Sequence, residues 1–182
     1  CGNRLPNNKK TCHPKAQYHL AAACDYKNQL IEKLIHAFKF QKIRANGIPL
    51  AYIMTHYLNS LNLNLKNFVV VPVPLHKERL KKRGFNQSEV LAKKIATSFN
   101  LPINTSSLLK IKNTQAQTEV QNKNNREKNL VGCFELSDNK LTGKNILLID
   151  DVHTTGATAS VISQTLKTGG AKKIIVLVAA RT

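Results

Sequence analysis

Two adjacent carboxylates, Asp150 and Asp151, stand just ahead of a run of hydroxyls and a glycine, Thr154-Thr155-Gly156-Ala157-Thr158. Carboxylates accept hydrogen bonds from sugar hydroxyls or hold a divalent cation through water. Threonine hydroxyls and the backbone N–H groups of a glycine turn donate to phosphate oxygens, most strongly where the turn opens a helix. A phosphate cradle a few residues from a hydroxyl reader spells a ribose 5-phosphate group. The neighbouring elements must place the two together. Ile146 to Ile149 is a short apolar run after Gly143 and Lys144, read as a buried parallel strand that ends at Asp150. Ala157, Val161, Ile162, Thr165 and Leu166 then recur at helical spacing up to Gly169-Gly170, a helix with its C-terminal glycines in place. Each piece alone is an ordinary strand-turn-helix connection. Their unbroken register is what points to a ligand, bound where open α/β sheets bind them, at the carboxyl ends of the strands. Neither G-x-x-x-x-G-K-[ST] nor G-x-G-x-x-G occurs in the chain, so the motif is neither a P-loop nor a dinucleotide fingerprint.

A second cluster of chemistry follows Phe68 to Val71, another apolar strand, which runs into Pro72-Val73-Pro74-Leu75-His76. A central strand cannot carry Pro-x-Pro, so the chain must turn here, again at a carboxyl end. The basic run Lys77, Arg79, Lys81, Lys82, Arg83 comes directly after this turn. A basic run is ordinarily a solvated face. Its position beside the crevice assigns Arg79 and Arg83 to the site and leaves Lys77, Lys81 and Lys82 for nucleic acid. Asn86-x-x-Glu89 then resembles a capping box ahead of a helix with Val90, Leu91, Ile95 and Phe99 inward.

The remaining elements complete an alternation. His19 to Cys24 predicts an edge strand, and Asp25 a cap for a helix carrying Leu30, Ile31, Leu34, Ile35 and Phe38. A second helix follows Gly47 with Pro49 in its first turn. Ser106 to Ile111 and Gly132 to Leu136 read as short strands, and Lys173 to Ala180 as a buried one. Between them Lys112 to Lys128 is polar and aperiodic, the composition of a lid or a disordered insertion. Strands alternating with helices predict an α/β fold with a mostly parallel central sheet flanked by helices.

The chain has 182 residues, enough for one such domain and a small appendage, and 28 basic against 10 acidic residues give a net charge of +18. That charge predicts attraction to polyanions. Four cysteines, Cys1, Cys12, Cys24 and Cys133, show no C-x-x-C pair, and no disulfide framework is expected. No apolar run of about 18 residues and no charged-then-apolar leader occurs. The expectation is a cytoplasmic protein with no membrane span.

The run Ile146 to Thr158 resembles the phosphoribosyl pyrophosphate (PRPP) motif of type I phosphoribosyltransferases. The order of further pieces resembles the competence protein ComF family, also called the GntX or amidophosphoribosyltransferase-like family. These pieces are Tyr26, Leu34-Ile35 and Lys39-Phe40; Val71 to His76 with Arg79; Arg83-Gly84-Phe85-Asn86-Gln87; Thr114, Gln117, Arg126 and Asn129 with Phe134; and the motif itself. The resemblance implies a type I phosphoribosyltransferase fold over residues 19–182. It implies catalytic contacts from Asp150 and Asp151 to ribose hydroxyls and Mg²⁺, and a 5-phosphate loop at Thr154, Thr155, Gly156, Ala157 and Thr158. It also implies a pyrophosphate loop at Val73, Pro74, Leu75 and His76 with Arg79 and Arg83, and a flexible loop carrying Thr114, Gln117 and Arg126. Residues 1–18 resemble the family's zinc module in Cys1-Gly2-Asn3-Arg4-Leu5-Pro6, but Cys12-His13-Pro14-Lys15 lacks the closing cysteine. A degenerate or truncated remnant that binds no zinc through Cys1 and Cys12 is expected. The implied role is DNA uptake in natural transformation, with PRPP and Mg²⁺ as ligands and single-stranded DNA and other competence proteins as partners. The alternatives are an active phosphoribosyltransferase of nucleotide metabolism and a PRPP-sensing regulator.

Overall fold

The computed structural model describes residues 17–41, 43–114 and 129–182. Four parallel strands form the central sheet in the order β1 (His19–Asp25), β6 (Ile174–Arg181), β5 (Asn145–His153), β2 (Phe68–Pro72). The two central strands, β6 and β5, are the longest of the sheet at eight and nine residues. They read as continuous rather than alternating because both faces are covered. Side chains of successive strand residues point to opposite faces. On β5, Leu147 and Ile149 therefore enter the core built with α1 (Gln29–Phe40), α2 (Gly47–Ser60) and α4 (Gln87–Phe99). Ile146 and Leu148 enter the opposite core, with α5 (Ala157–Thr168) and a two-stranded antiparallel sheet of β3 (Leu108–Lys110) and β4 (Phe134–Leu136).

Several expectations are met and several corrected. Helices begin at Gly47 and Ala157, and β2 runs into Pro72 where the chain turns. The strand carrying the acid pair does not end at Asp150 but continues to His153, because Asp150 and Val152 still pair with Val178 and Ala180 of β6. The cap of α1 is Asn28, whose side chain accepts from Leu30 N and Ile31 N, while Asp25 closes β1 and accepts from Lys27 N. The two short strands β3 and β4 pair with each other instead of joining the parallel sheet. The basic run after the proline turn folds into a short helix of its own, α3 (Lys77–Arg83), capped by His76 and closed by Gly84 at φ 85°. Glu89 does not complete a capping box; it pairs with Lys93 at 2.6 Å. Asn86 alone caps α4.

Phe38 links the helical layer to the site. It is fully buried, its ring lies 5.5 Å from that of Phe85, and a Cβ on Gly47 would stand 3.1 Å from it. The next residue is Lys39, so the packing of Phe38 sets where that lysine points. Phe38→Ala is expected to destabilise the protein by about 3–5 kcal/mol through transfer and cavity terms, read by urea denaturation.

Candidate functional site

The site lies at the carboxyl ends of β5 and β2. The proline turn is fastened there: Val73 N donates to Ile149 O at 2.9 Å, and Asn86 Nδ2 donates to Val73 O at 3.0 Å. Asn86 also accepts from Ser88 N at 3.0 Å, so one buried side chain caps α4 and clamps the loop Val73 to His76 beside the acid pair. The neighbouring Gln87 accepts from Arg83 Nη1 at 2.9 Å, and Arg83 lies 5.9 Å from the centre of the Phe40 ring. Arg79 donates to Thr114 O, and Asn113 donates to Glu78, which docks the start of the 112–128 loop onto α3. Arg79 and Arg83 are half-buried, whereas Lys77, Lys81 and Lys82 are exposed. Gln117, Arg126, Cys1 and Cys12 lie outside the described residues.

The two carboxylates do not share an environment. Asp151 is 6% exposed, on the face of β5 that meets the helices, and its Oδ1 lies 2.8 Å from Lys39 Nζ of α1. Burial works against the charge of Lys39. The Asp151 carboxylate and its hydrogen bond outweigh that, so the lysine's pKa is raised. Asp150 Oδ1 accepts from Ser88 Oγ and from Asp151 N, each at 2.9 Å. Burial and the adjacent Asp151 push its pKa up to about 7, against the pull of Lys39 and the two donors. Some of Asp150 remains accessible, whereas Asp151 is closed in.

Beyond the acid pair, Gly156 turns the chain at φ 82°. A Cβ there would stand 3.0 Å from His153 Nε2 and 3.1 Å from Tyr18 OH, two atoms themselves 3.2 Å apart. Only glycine fits so close a turn. Asn28, His76 and Asn86 cap α1, α3 and α4 with side chains, but α5 starts at Gly156 without one. One N–H of its first turn, Ala157 N, donates to Thr155 Oγ1 in a long bond of 3.5 Å. The first turn of α5 thus directs N–H groups and the positive end of the helix dipole at the loop Thr154 to Thr158, an anion site in form. The enclosed space between this loop and Asp150 is about 20 Å³, room for about one water, so a ligand must sit on the open rim.

Sequence reasoning missed four participants. Lys39 and Ser88 hold the acid pair. Lys110 of β3 is half-buried; burial lowers its pKa, Arg79 lowers it further, and Asp150 opposes. A further cation thus joins Lys39, Arg79 and Arg83, with its Nζ 5.5 Å from the centre of the Phe134 ring. The fourth is Gln87, whose Nε2 is buried without a partner, as is Thr114 Oγ1 near the other end of the cleft. A lysine inside an apolar run, as in Phe38-Lys39-Phe40 and Leu109-Lys110-Ile111, was the available signal.

The phosphoribosyl transferase domain family matches residues 80–182, from the end of α3 through the acid pair to β6. The chain belongs to that family. Among curated relatives it is 40% identical to competence protein ComFC of Bacillus subtilis over 95 residues, covering 51% of this chain and 35% of that protein. It is 31% identical to competence protein F of Haemophilus influenzae, covering 78% of this chain and 63% of that one. It is 28% identical to the DNA utilization protein YhgH of Escherichia coli, covering 99% of this chain and 79% of that one. The chain thus spans about a third and under two thirds of the lengths of the first two. The ComF resemblance read from the separate motifs is borne out by these relatives. A solved structure described as the allosteric regulatory enzyme of purine biosynthesis aligns with a TM-score of 0.47 and 20% identity, over 71% of this chain and 24% of that one.

Two measurements test the geometry of this site. Lys39→Met leaves Asp151 buried without a cation and is expected to cost about 3 kcal/mol, most of it recovered when Asp151→Asn is added; urea melts of the two variants check the pairing. Asp150 titrates near 7 folded, against about 3.9 unfolded. The folded state therefore keeps a proton that the unfolded state releases, and stability associated with Asp150 falls as pH rises from about 4 through about 7. Asp150→Asn is expected to raise Tm at pH 8 relative to the parent and to leave it nearly unchanged at pH 4, as scanning calorimetry would show.

Proposed function

We propose that this chain acts in DNA uptake for natural transformation, and that its phosphoribosyltransferase site binds PRPP or a ribose 5-phosphate nucleotide with Mg²⁺. The observation that carries the ligand reading is the junction of β5 and α5. Asp150, partly accessible at the cleft, lies within a few residues of an uncapped helix start that can take a phosphate. The ribose hydroxyls donate to Asp150, the 5-phosphate takes the N–H groups and hydroxyls of Thr154 to Thr158, and the pyrophosphate faces Val73 to His76, Arg79, Arg83 and Lys110. The unpartnered donors Gln87 Nε2 and Thr114 Oγ1 suit a ligand rich in acceptor oxygens.

Mg²⁺ supplies charge neutralisation for the pyrophosphate when it binds. It needs about six oxygens. Among the described residues no third histidine, cysteine or carboxylate joins the acid pair, and one of the pair is already engaged by Lys39. On this reading Asp150 is the carboxylate left to hold the ion, through water or a sugar hydroxyl, and the ligand's own phosphate oxygens would supply the remaining donors. Displacement of pyrophosphate at the anomeric carbon passes through a cationic sugar, so the protein's part is to position the groups, stabilise charge and exclude water. The role in DNA uptake draws on the relatives named competence proteins and DNA utilization proteins, with single-stranded DNA and other competence proteins as partners.

Calorimetric titration of PRPP, with and without Mg²⁺ and with ribose 5-phosphate as control, tests the ligand reading. Saturable binding strengthened by Mg²⁺ is expected. It should rise in affinity from pH 6 to 8 as Asp150 ionises, and it should vanish in a folded Asp150→Ala variant. Unchanged affinity in that variant would sink the assignment.

A further inference from the structure

A second, open cavity lies at the other end of the sheet. It spans about 440 Å³ at the amino ends of β2 and β5, among Lys66, Asn67, Val69, Pro102, Lys144 and Lys172. That is within the usual range of ligand pockets, roughly 300–1,000 Å³. No carboxylate lines it. Among the described residues the ion pairs are Lys39–Asp151, Lys93–Glu89 and Lys140–Asp138, and none involves the three lysines at this cavity. Backbone bonds make the rim definite: Lys172 N donates to Lys144 O at 2.8 Å, and Gly143 N to Gly170 O at 2.9 Å. Lys167, which donates to Lys172 O, and Lys173 next to it continue the basic edge.

We propose that this lysine-rimmed trough is a binding site for the phosphate backbone of single-stranded nucleic acid, separate from the ribose-phosphate cleft. The three ammonium groups are exposed on flexible stems and no buried polar side chain is aimed into the space, an arrangement that suits a chain passing over it better than a caged small anion. The apolar floor of Val69 and Pro102 offers contact to sugars, and the one aromatic at the edge, Phe68, is 4% exposed and gives no stacking platform. Recognition is therefore electrostatic, indifferent to sequence and steeply dependent on salt. At about 3.3 Å per residue, Asn145 and Asp150 are roughly 16 Å apart along β5. A strand in the trough and a sugar phosphate in the cleft can thus be bound together. A strand on Lys77, Lys81 and Lys82 of α3 would instead crowd the cleft.

The inference rests on the DNA-handling reading above, and the experiment separates the two. Anisotropy of a labelled oligothymidylate is titrated over a series of salt concentrations, with and without saturating PRPP. The proteins are the parent, a Lys66→Gln/Lys144→Gln/Lys172→Gln variant and a Lys77→Gln/Lys81→Gln/Lys82→Gln variant, each checked for an unchanged melt. The first variant is expected to bind about tenfold or more weakly at low salt, with a log–log salt slope shallower by roughly two. PRPP should leave the parent's DNA affinity within about twofold, as uncoupled sites require. Parent-like binding and slope in the first variant, or loss confined to the α3 variant, overturns the trough while leaving DNA handling intact. A parent that does not bind the oligonucleotide overturns both.

Discussion

Asp151 is a carboxylate set near the carboxyl end of a central strand with 6% of its surface accessible, and such a group is tolerable as an anion only beside a cation. Lys39 is that cation, and much of the helical layer serves to bring it there. Asn28 starts α1 at a fixed point, Ile31, Ile35 and Phe38 lock the helix onto the sheet, and Phe38 against Phe85 ties it to the segment that also carries Asn86 and Gln87. The same pair shapes the electrostatics of the cleft. Its Lys39 end tempers the negative charge next to Asp150, and its Asp151 end keeps the pKa of Asp150 high.

Strand geometry explains why two neighbouring identical residues differ so much. Adjacent positions on β5 face opposite layers, so one carboxylate meets α1 and the other meets the cleft. The first becomes structural and positioning, the second remains able to meet a ligand. The cations around the cleft come from three separate elements: Arg79 and Arg83 on α3, Lys110 on β3 and Lys39 on α1. They repel one another, and Arg79 lowers the pKa of both Arg83 and Lys110. Lys39 is relieved by Asp151, and an anion bound among the other three would relieve them in the same way.

The sequence made the central strand, the glycine turn and the helix after it legible because each has a local signal: an apolar run, a hydroxyl-glycine cluster, a 3.6-residue period. The helix of the basic run was not legible; α3 turns Arg79 and Arg83 partly inward and leaves Lys77, Lys81 and Lys82 exposed. Lys39 was not legible as a site residue, because its partner is 112 positions away in sequence and only the sheet order β1-β6-β5-β2 and the packing of α1 bring them together. Lys110 was hidden for a related reason. Its strand is only three residues long, and antiparallel pairing with β4 sets the lysine over Phe134, close enough for Asp150 to act on its charge. The end of β5 was misplaced because aspartates usually break strands, whereas here β6 runs alongside and keeps the ladder going to His153.

The charge of the whole chain bears on function differently from the charge of the cleft. A net +18 is far more than four cations facing two carboxylates require. The excess is lysine spread over surfaces that have no role in holding a sugar phosphate, including an amino-end trough with no acid to balance it. Such a field raises the local concentration of any polyanion and speeds its encounter, an effect that salt removes first from exposed lysines and last from the half-buried arginines. A domain that only turned over a small metabolite would gain little from such a field. One that holds a nucleotide ligand at one end of its sheet while a nucleic acid strand lies along the other has a use for both kinds of charge, and the parallel sheet is what keeps the two apart.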